Sequence, residues 1–233
     1  MNTTNEVSAT KKEIIIRYIV FIIGLFFAGV GVAFTKRGDL GVSPISSVAN
    51  VISIKYEFLT MGDWLIIWNC VLIVGQILIL RRNFKLYQLL QIPLSYLFGK
   101  FTDFGMWMVS FINVKHYAGK LTMLFIGIVV LAFGISLSVI ANVIMNSGEA
   151  IVKAMADTWK KEFGYVKVAF DIFCVITSVI LSIIIFDGQI VGAREGTIIS
   201  ACVTGLVVKF ITKHIRGGIE KIIAAVIIHE FSG

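Results

Sequence analysis

Charge is scarce in this sequence. Only 15% of its 233 residues are Asp, Glu, Lys or Arg, against about 25% in a typical soluble domain. With 58% of residues hydrophobic and a mean hydropathy of +0.92, a soluble chain could not cover its surface with polar groups. A bilayer removes that difficulty, because lipid-facing surface is apolar. Cysteine is scarce too. Cys70, Cys174 and Cys202 each lie in an apolar run and form no C-x-x-C pair. A disulfide framework is therefore excluded, and the three read as small buried hydrophobes. His116, His214 and His229 are scattered near loops, so no metal site is expected. There is no P-loop, no G-x-S-x-G and no H-E-x-x-H. Neither an enzyme nor a cofactor is expected, and the chain carries no ATP-hydrolysing machinery of its own.

What is present is a series of long apolar runs. They predict an all-α, polytopic helical membrane protein with about six transmembrane helices. The spans are expected near 14–35, 64–80, 86–111, 121–143, 166–186 and 190–211. The basic N-terminal stretch with Lys11, Lys12 and Arg17 leads into a run too long for a signal-peptide core, so it reads as a retained first helix. Two segments, 44–59 and 147–161, are too short to cross about 30 Å of hydrocarbon. Two readings of them stay open: re-entrant half-helices, or interfacial helices on the membrane surface. Residues 219–231 have amphipathic spacing and are expected on the surface. The formal charge of +7 fits loops and headgroups rather than nucleic acid, because no basic stripe with interleaved aromatics is present.

Lys and Arg are unevenly divided between the loops. One side collects Lys11, Lys12, Arg17, Arg81, Arg82, Lys85, Lys153, Lys160, Lys161, Lys167, Lys209, Lys213, Arg216 and Lys221. The other holds Lys36, Arg37, Lys55, Lys115, Lys120 and Arg194. The first side is predicted cytoplasmic, with both termini inside.

The chain also repeats. Gly24 and Gly31 match Gly127 and Gly134 at an offset of 103, which also places Asp39 on Asn142, Ser43 on Asn146 and Pro44 on Ser147. At an offset of 102, Gly62 matches Gly164 and Asn69 matches Asp171; Gly99 then pairs with Gly205. Three spans per half reverse the second half, giving an inverted 3+3 repeat. The expected division is a tail 1–13, a first repeat 14–112, a second repeat 113–216 and a C-terminal amphipathic helix 217–233.

Candidate site residues follow from the short helices. Ser43 can cap one, with Pro44 in its first turn; Asn146 or Ser147 can cap the other, with Glu149 in its first turn. Helix N-termini inside a bundle hold anionic or strongly polar groups; on a surface they would be ordinary caps. Arg194 and Glu195, in Gly192-Ala-Arg-Glu-Gly-Thr197, are expected just inside the sixth span, where charges are paired or functional. An Arg194–Glu149 pair would neutralise both; the alternative is an interfacial bridge snorkelling to water. The expected substrate-binding set is Ser43, Asn146, Ser147, Glu149, Arg194, Glu195 and Thr197. Asp171 and Asp103 lie within spans, where a carboxylate either carries a proton or hydrogen-bonds between helices; Asp171 is the proton-coupling candidate. Asp39 with Arg37 reads as a solvated loop pair.

Gly41-Val-Ser-Pro44, Met145-Asn-Ser-Gly-Glu-Ala150 and Gly192-Ala-Arg-Glu-Gly-Thr197 together resemble the YczE/YyaS/YitT-type bacterial membrane proteins, from Arg17 to Arg216. Gly38 stands where the family usually has alanine, and Ile45 where it has an aromatic. The resemblance implies a multi-pass protein of the bacterial cytoplasmic membrane, transporter-like in outline, and names no substrate. The function expected is a transporter or permease for a small polar or anionic solute, with proton coupling as an option. The alternatives are a substrate-binding subunit of a multi-component importer and a non-transporting scaffold or regulator. The partners expected are the lipid bilayer and a small-molecule solute, with no nucleic acid; a homo-oligomer and importer subunits stay open.

Overall fold

The computed structural model describes residues 11–228. They form helices α1 (Lys11–Arg37), α2 (Pro44–Lys55), α3 (Met61–Leu80), α4 (Gln91–Met108), α5 (Tyr117–Ala141), α6 (Ser147–Trp159), α7 (Phe163–Ile185) and α8 (Glu195–Ile228), with two 3₁₀ turns between α3 and α4. The described residues contain no strand. Most of the expected tail lies outside the described residues, and its last residues, 11–13, already belong to α1.

Five helices, α1, α3, α5, α7 and α8, are long and apolar enough to cross a membrane. The chain is a helical membrane protein. α4, where a further span was expected, is less apolar: it carries Lys100 and Asp103 and runs 18 residues, about 27 Å at 1.5 Å per residue.

α1 and α5 form the centre and pack along each other. Glycines set the distance. A Cβ on Gly24 would sit 2.7 Å from the Gly134 carbonyl oxygen, and one on Gly127 2.9 Å from that of Gly31. Around this pair, α4 packs on α1 and α8 on α5; α2 packs on α7 and α6 on α3. α5 is the most buried of the apolar helices and α8 the least. α7 keeps Ile172, Ile176, Ile180 and Ile184 on an exposed stripe, as lipid contact requires.

The central helices end alike. Asp39 after α1 and Asn142 after α5 both take left-handed backbone, with φ of 53° and 49°, a conformation that Asn and Asp tolerate better than most residues. Each turn feeds a short helix. α2 is buried along much of its length, from Pro44 to Ser53, and α6 is buried from Ser147 to Ala156. Both are inside the bundle and do not lie on its surface. The far end of α2 returns towards the end of α1, where Lys36 Nζ donates to Ser53 Oγ at 2.6 Å. α2 therefore leaves by the face from which the chain came.

Three expectations are corrected. The sixth helix begins at Glu195 rather than 190, because Gly188 and Gly192 take positive φ of 91° and 79° and hold the preceding segment non-helical. α8 then continues through Gly217-Gly218 to Ile228, so the separate C-terminal helix is an extension of the sixth; no proline intervenes, and Arg216 and Glu220 pair one turn apart at 3.9 Å. The last residues of the expected 219–231 segment lie outside the described residues. Finally, Cys202 is exposed while Cys174 is buried and Cys70 half-buried, because α8 has few neighbours.

Candidate functional site

The first turns of α2 and α6 meet inside the bundle. Ile45, directly after Pro44, packs on Gly148, where a Cβ would stand 2.7 Å from Ile45 Cδ1. Glycine at 148 therefore lets the two helix starts approach. They border a cavity of about 1330 Å³ that reaches the bundle face carrying Arg17, Lys85 and Arg216. Leu65, Trp68 and Leu131 lie in its apolar part; Asn69, Asn142, Glu149 and Asp171 are among its polar lining.

Of the expected binding residues, Ser43, Asn146, Ser147 and Glu149 all line this cavity, together with Asp171. The expected capping does not occur: neither the Ser43 nor the Asn146 side chain caps its helix. Ser43 Oγ instead donates to Ser46 Oγ at 3.0 Å. The Ser147 hydroxyl shares a hydrogen bond with Ser95 Oγ at 3.1 Å, and its carbonyl accepts from Gln76 Nε2 at 3.2 Å. Gln76 and Gln91 exchange a reciprocal pair of amide bonds, both 3.0 Å. α6 is thus fixed at its start by α3 and α4 through fully satisfied buried polar groups. Gln76, Gln91 and Ser95 were not predicted; the available signal was a glutamine in the otherwise apolar stretch of α3.

Glu149, in the first turn of α6, a helix too short to span, is half-buried in the cavity wall. This burial pushes its carboxyl above the ordinary carboxylate value, while nearby Lys167 and its own backbone N–H act in the opposite direction. Asp171 forms an ion pair with Lys167 one turn earlier on α7, so its charge is already matched. Asn69, the residue at the corresponding position of α3, is buried on another wall of the cavity.

Arg194, Glu195 and Thr197 are not in the cavity. Arg194 lies 3.5 Å from Glu195 and 3.9 Å from Asp39, half-exposed. The expected pair with Glu149 is absent because α8 starts only at 195, which leaves Arg194 in the entering loop. Asp39 pairs with Lys120 at 2.6 Å and not with Arg37, whose guanidinium donates to the carbonyls of Ser110 and Ile112. Thr197 is buried against Gly41, where a Cβ would come within 2.3 Å of its hydroxyl oxygen. With Gly196 N–H donating to Leu40 O at 2.7 Å, these groups tie the start of α8 to the loop before α2. Asp103 also has a structural role: it accepts from Thr60 Oγ1 at 2.7 Å and from Gly62 N–H at 2.8 Å, joining α4 to α3.

A model for a family of unknown function, DUF6198, matches residues 15–213. The chain belongs to this family. It is 24% identical over 203 residues to the uncharacterized membrane protein YczE of Bacillus subtilis (strain 168), covering 86% of this chain and 87% of that protein. This agrees with the YczE-type resemblance of the three motifs. No solved structure matches.

Proposed function

We propose that the chain is a transporter or permease for a small polar or anionic solute, built as an inverted 3+3 repeat in a bacterial cytoplasmic membrane with both termini cytoplasmic. The observation that carries the reading is the meeting of two short, buried helices, start to start, at a large cavity bordered by polar residues. Broken or short helices whose N-termini converge between repeats are a recurring way to hold polar solutes in membrane carriers.

The contacts support the repeat. A two-fold relation demands that if one residue touches a partner, their equivalents touch reciprocally. Gly24 faces Gly134, and their equivalents at the 103 offset, Gly127 and Gly31, face each other. Ala28 faces Gly134, and Leu131 faces Gly31. Ile45 touches Gly148, its own equivalent, as expected for residues on the axis. α4 takes the part of a sixth span in this reading, beside α1 as α8 stands beside α5.

Glu149 is the carboxylate best placed to exchange a proton, because Asp171 already has Lys167. The test is a thermal-shift screen of the purified protein across small polar metabolites, followed by uptake of any hit in vesicles. A ligand at one hundred times its Kd raises stability by about 2.7 kcal/mol. Wild type should show the shift and the uptake. Glu149→Gln and Ser147→Ala should insert normally and lose uptake. Undiminished uptake in both variants would remove the cavity from consideration, and a ligand recognised only with co-purifying subunits would make the chain an importer component.

A further inference from the structure

The two halves differ at one seam. In the first, α3 and α4 meet so closely that a Cβ on Gly62 would stand 2.1 Å from the Gly99 carbonyl oxygen, and one on Gly99 2.6 Å from that of Gly62. Asp103 ties this seam through Thr60 Oγ1 and the Gly62 N–H. The repeat carries Gly62 onto Gly164 and Gly99 onto Gly205. Those glycines have no such partners. Gly205 has nothing within 4 Å of where a Cβ would be, and Gly164 meets only Glu162 Oε1, at 3.9 Å. α7 and α8 do not pack face to face as α3 and α4 do. The cavity runs between them, with Lys167 and Asp171 on one side and Ser200, Thr204 and Gly205 on the other.

The same offsets carry further. Thr60, the N-cap of α3, falls on Glu162, the N-cap of α7, and Asp103 falls on Lys209. The hydrogen bond that locks the first seam is replaced in the second by two opposite charges. Neither the Glu162 nor the Lys209 side chain takes part in a hydrogen bond or ion pair among the described residues.

We infer that Gly164 and Gly205 form a latent seam: in a second state α8 closes onto α7, glycine against glycine, with Glu162 paired to Lys209, while the α3–α4 seam parts. The move narrows the cavity at the face where it opens and frees the opposite side. α8 is suited to it. Its start is held by the Gly196–Leu40 hydrogen bond, the preceding loop has two positive-φ glycines, and its length beyond that point packs mainly on α5. Rigid movement of one repeat element against another is how inverted-repeat carriers alternate access. This inference rests on the inverted-repeat reading above.

The experiment uses the full chain in native membranes, with Cys70, Cys174 and Cys202 replaced by alanine. Glu162→Cys/Lys209→Cys is oxidised beside the control pair Thr60→Cys/Asp103→Cys. Disulfides need neighbouring Cα atoms, within about 7 Å; the Thr60 and Asp103 side chains already touch at 2.7 Å, so the control tests the arrangement described and the test pair the closed one. Most of the test protein should crosslink. A second measurement avoids disulfides. Gly205→Cys alone, which clashes with nothing, is labelled with a water-soluble maleimide. Adding Glu162→Lys, which sets like charges at the seam, should raise labelling severalfold, and adding Lys209→Glu as well should restore it. A crosslinked control with an uncrosslinked test pair, or labelling indifferent to charge reversal, overturns the proposal. Neither readout uses a solute. Crosslinking without any transported solute would sink the transport reading alone, and uptake without crosslinking would sink the seam alone.

Discussion

Adding a single methyl group at Gly134 should measurably destabilise the protein. A Cβ there would stand 2.3 Å from Ala28 N, 2.5 Å from Gly24 O and 2.9 Å from Ala28 Cα. All three are backbone atoms of α1, so no side chain can swing aside and the helices must separate. Overpacking of this kind costs about 1–3 kcal/mol, and backbone opposition puts Gly134→Ala in the upper part of that range. Alanine returns up to about 1 kcal/mol through its better helix propensity. The net loss is about 1–2 kcal/mol, or roughly 2–8 °C in Tm for a chain of this size. The assay is thermal melting of the detergent-solubilised protein followed by intrinsic tryptophan fluorescence. Gly127→Ala, two turns earlier on α5, should lose a comparable amount, since its Cβ would meet Thr35 N at 2.6 Å and Gly31 O at 2.9 Å. Gly205→Ala, with open space around it, should melt no lower than wild type. Gly134→Ala melting at or above wild type, or Gly205→Ala falling as far, would refute the argument that α1–α5 contact fixes the bundle.

Three further outcomes are expected. Gln76→Leu strands the Gln91 amide and the Ser147 carbonyl, at a cost of about 1–3 kcal/mol; thermal melting should show the loss and its partial recovery in Gln76→Leu/Gln91→Leu. Arg194→Ala removes only half-exposed ion pairs with Asp39 and Glu195, so its stability should fall by less than about 1 kcal/mol, read by the same melt. Because the folded Glu149 carboxyl holds its proton more tightly than the ordinary group at 4.5, its contribution to stability is present below that pH and is lost as pH rises through the raised folded value. Glu149→Gln should therefore gain on wild type as pH increases, and a series of melts from acid to neutral pH that ran parallel for the two proteins would contradict this.

The sequence by itself determined the solvent and most of the helices. Long apolar runs between basic clusters have few folded solutions besides membrane helices, because unsatisfied backbone groups are excluded from hydrocarbon. The polar turn after each glycine-marked helix was equally legible, since Asp39 and Asn142 stand where the backbone turns left-handed. Four of the expected binding residues, with Asp171, came together at one cavity, because the first turns of α2 and α6 meet at Ile45 and Gly148. Tertiary structure alone decided the rest. Arg194 and Glu195 look intramembrane in the sequence, but two positive-φ glycines delay α8 and leave Arg194 in the entering loop and Glu195 at the first residue of α8, away from the cavity. Asp171 looks unpaired, yet a lysine one turn away on the same helix face neutralises it. The Gln76–Gln91–Ser147 network joins three helices distant in the chain, and no local pattern marks such a meeting. The open α7–α8 seam lies beyond sequence for the same reason: matching glycines state that two helices can touch, and only the packing of the whole bundle sets whether they do.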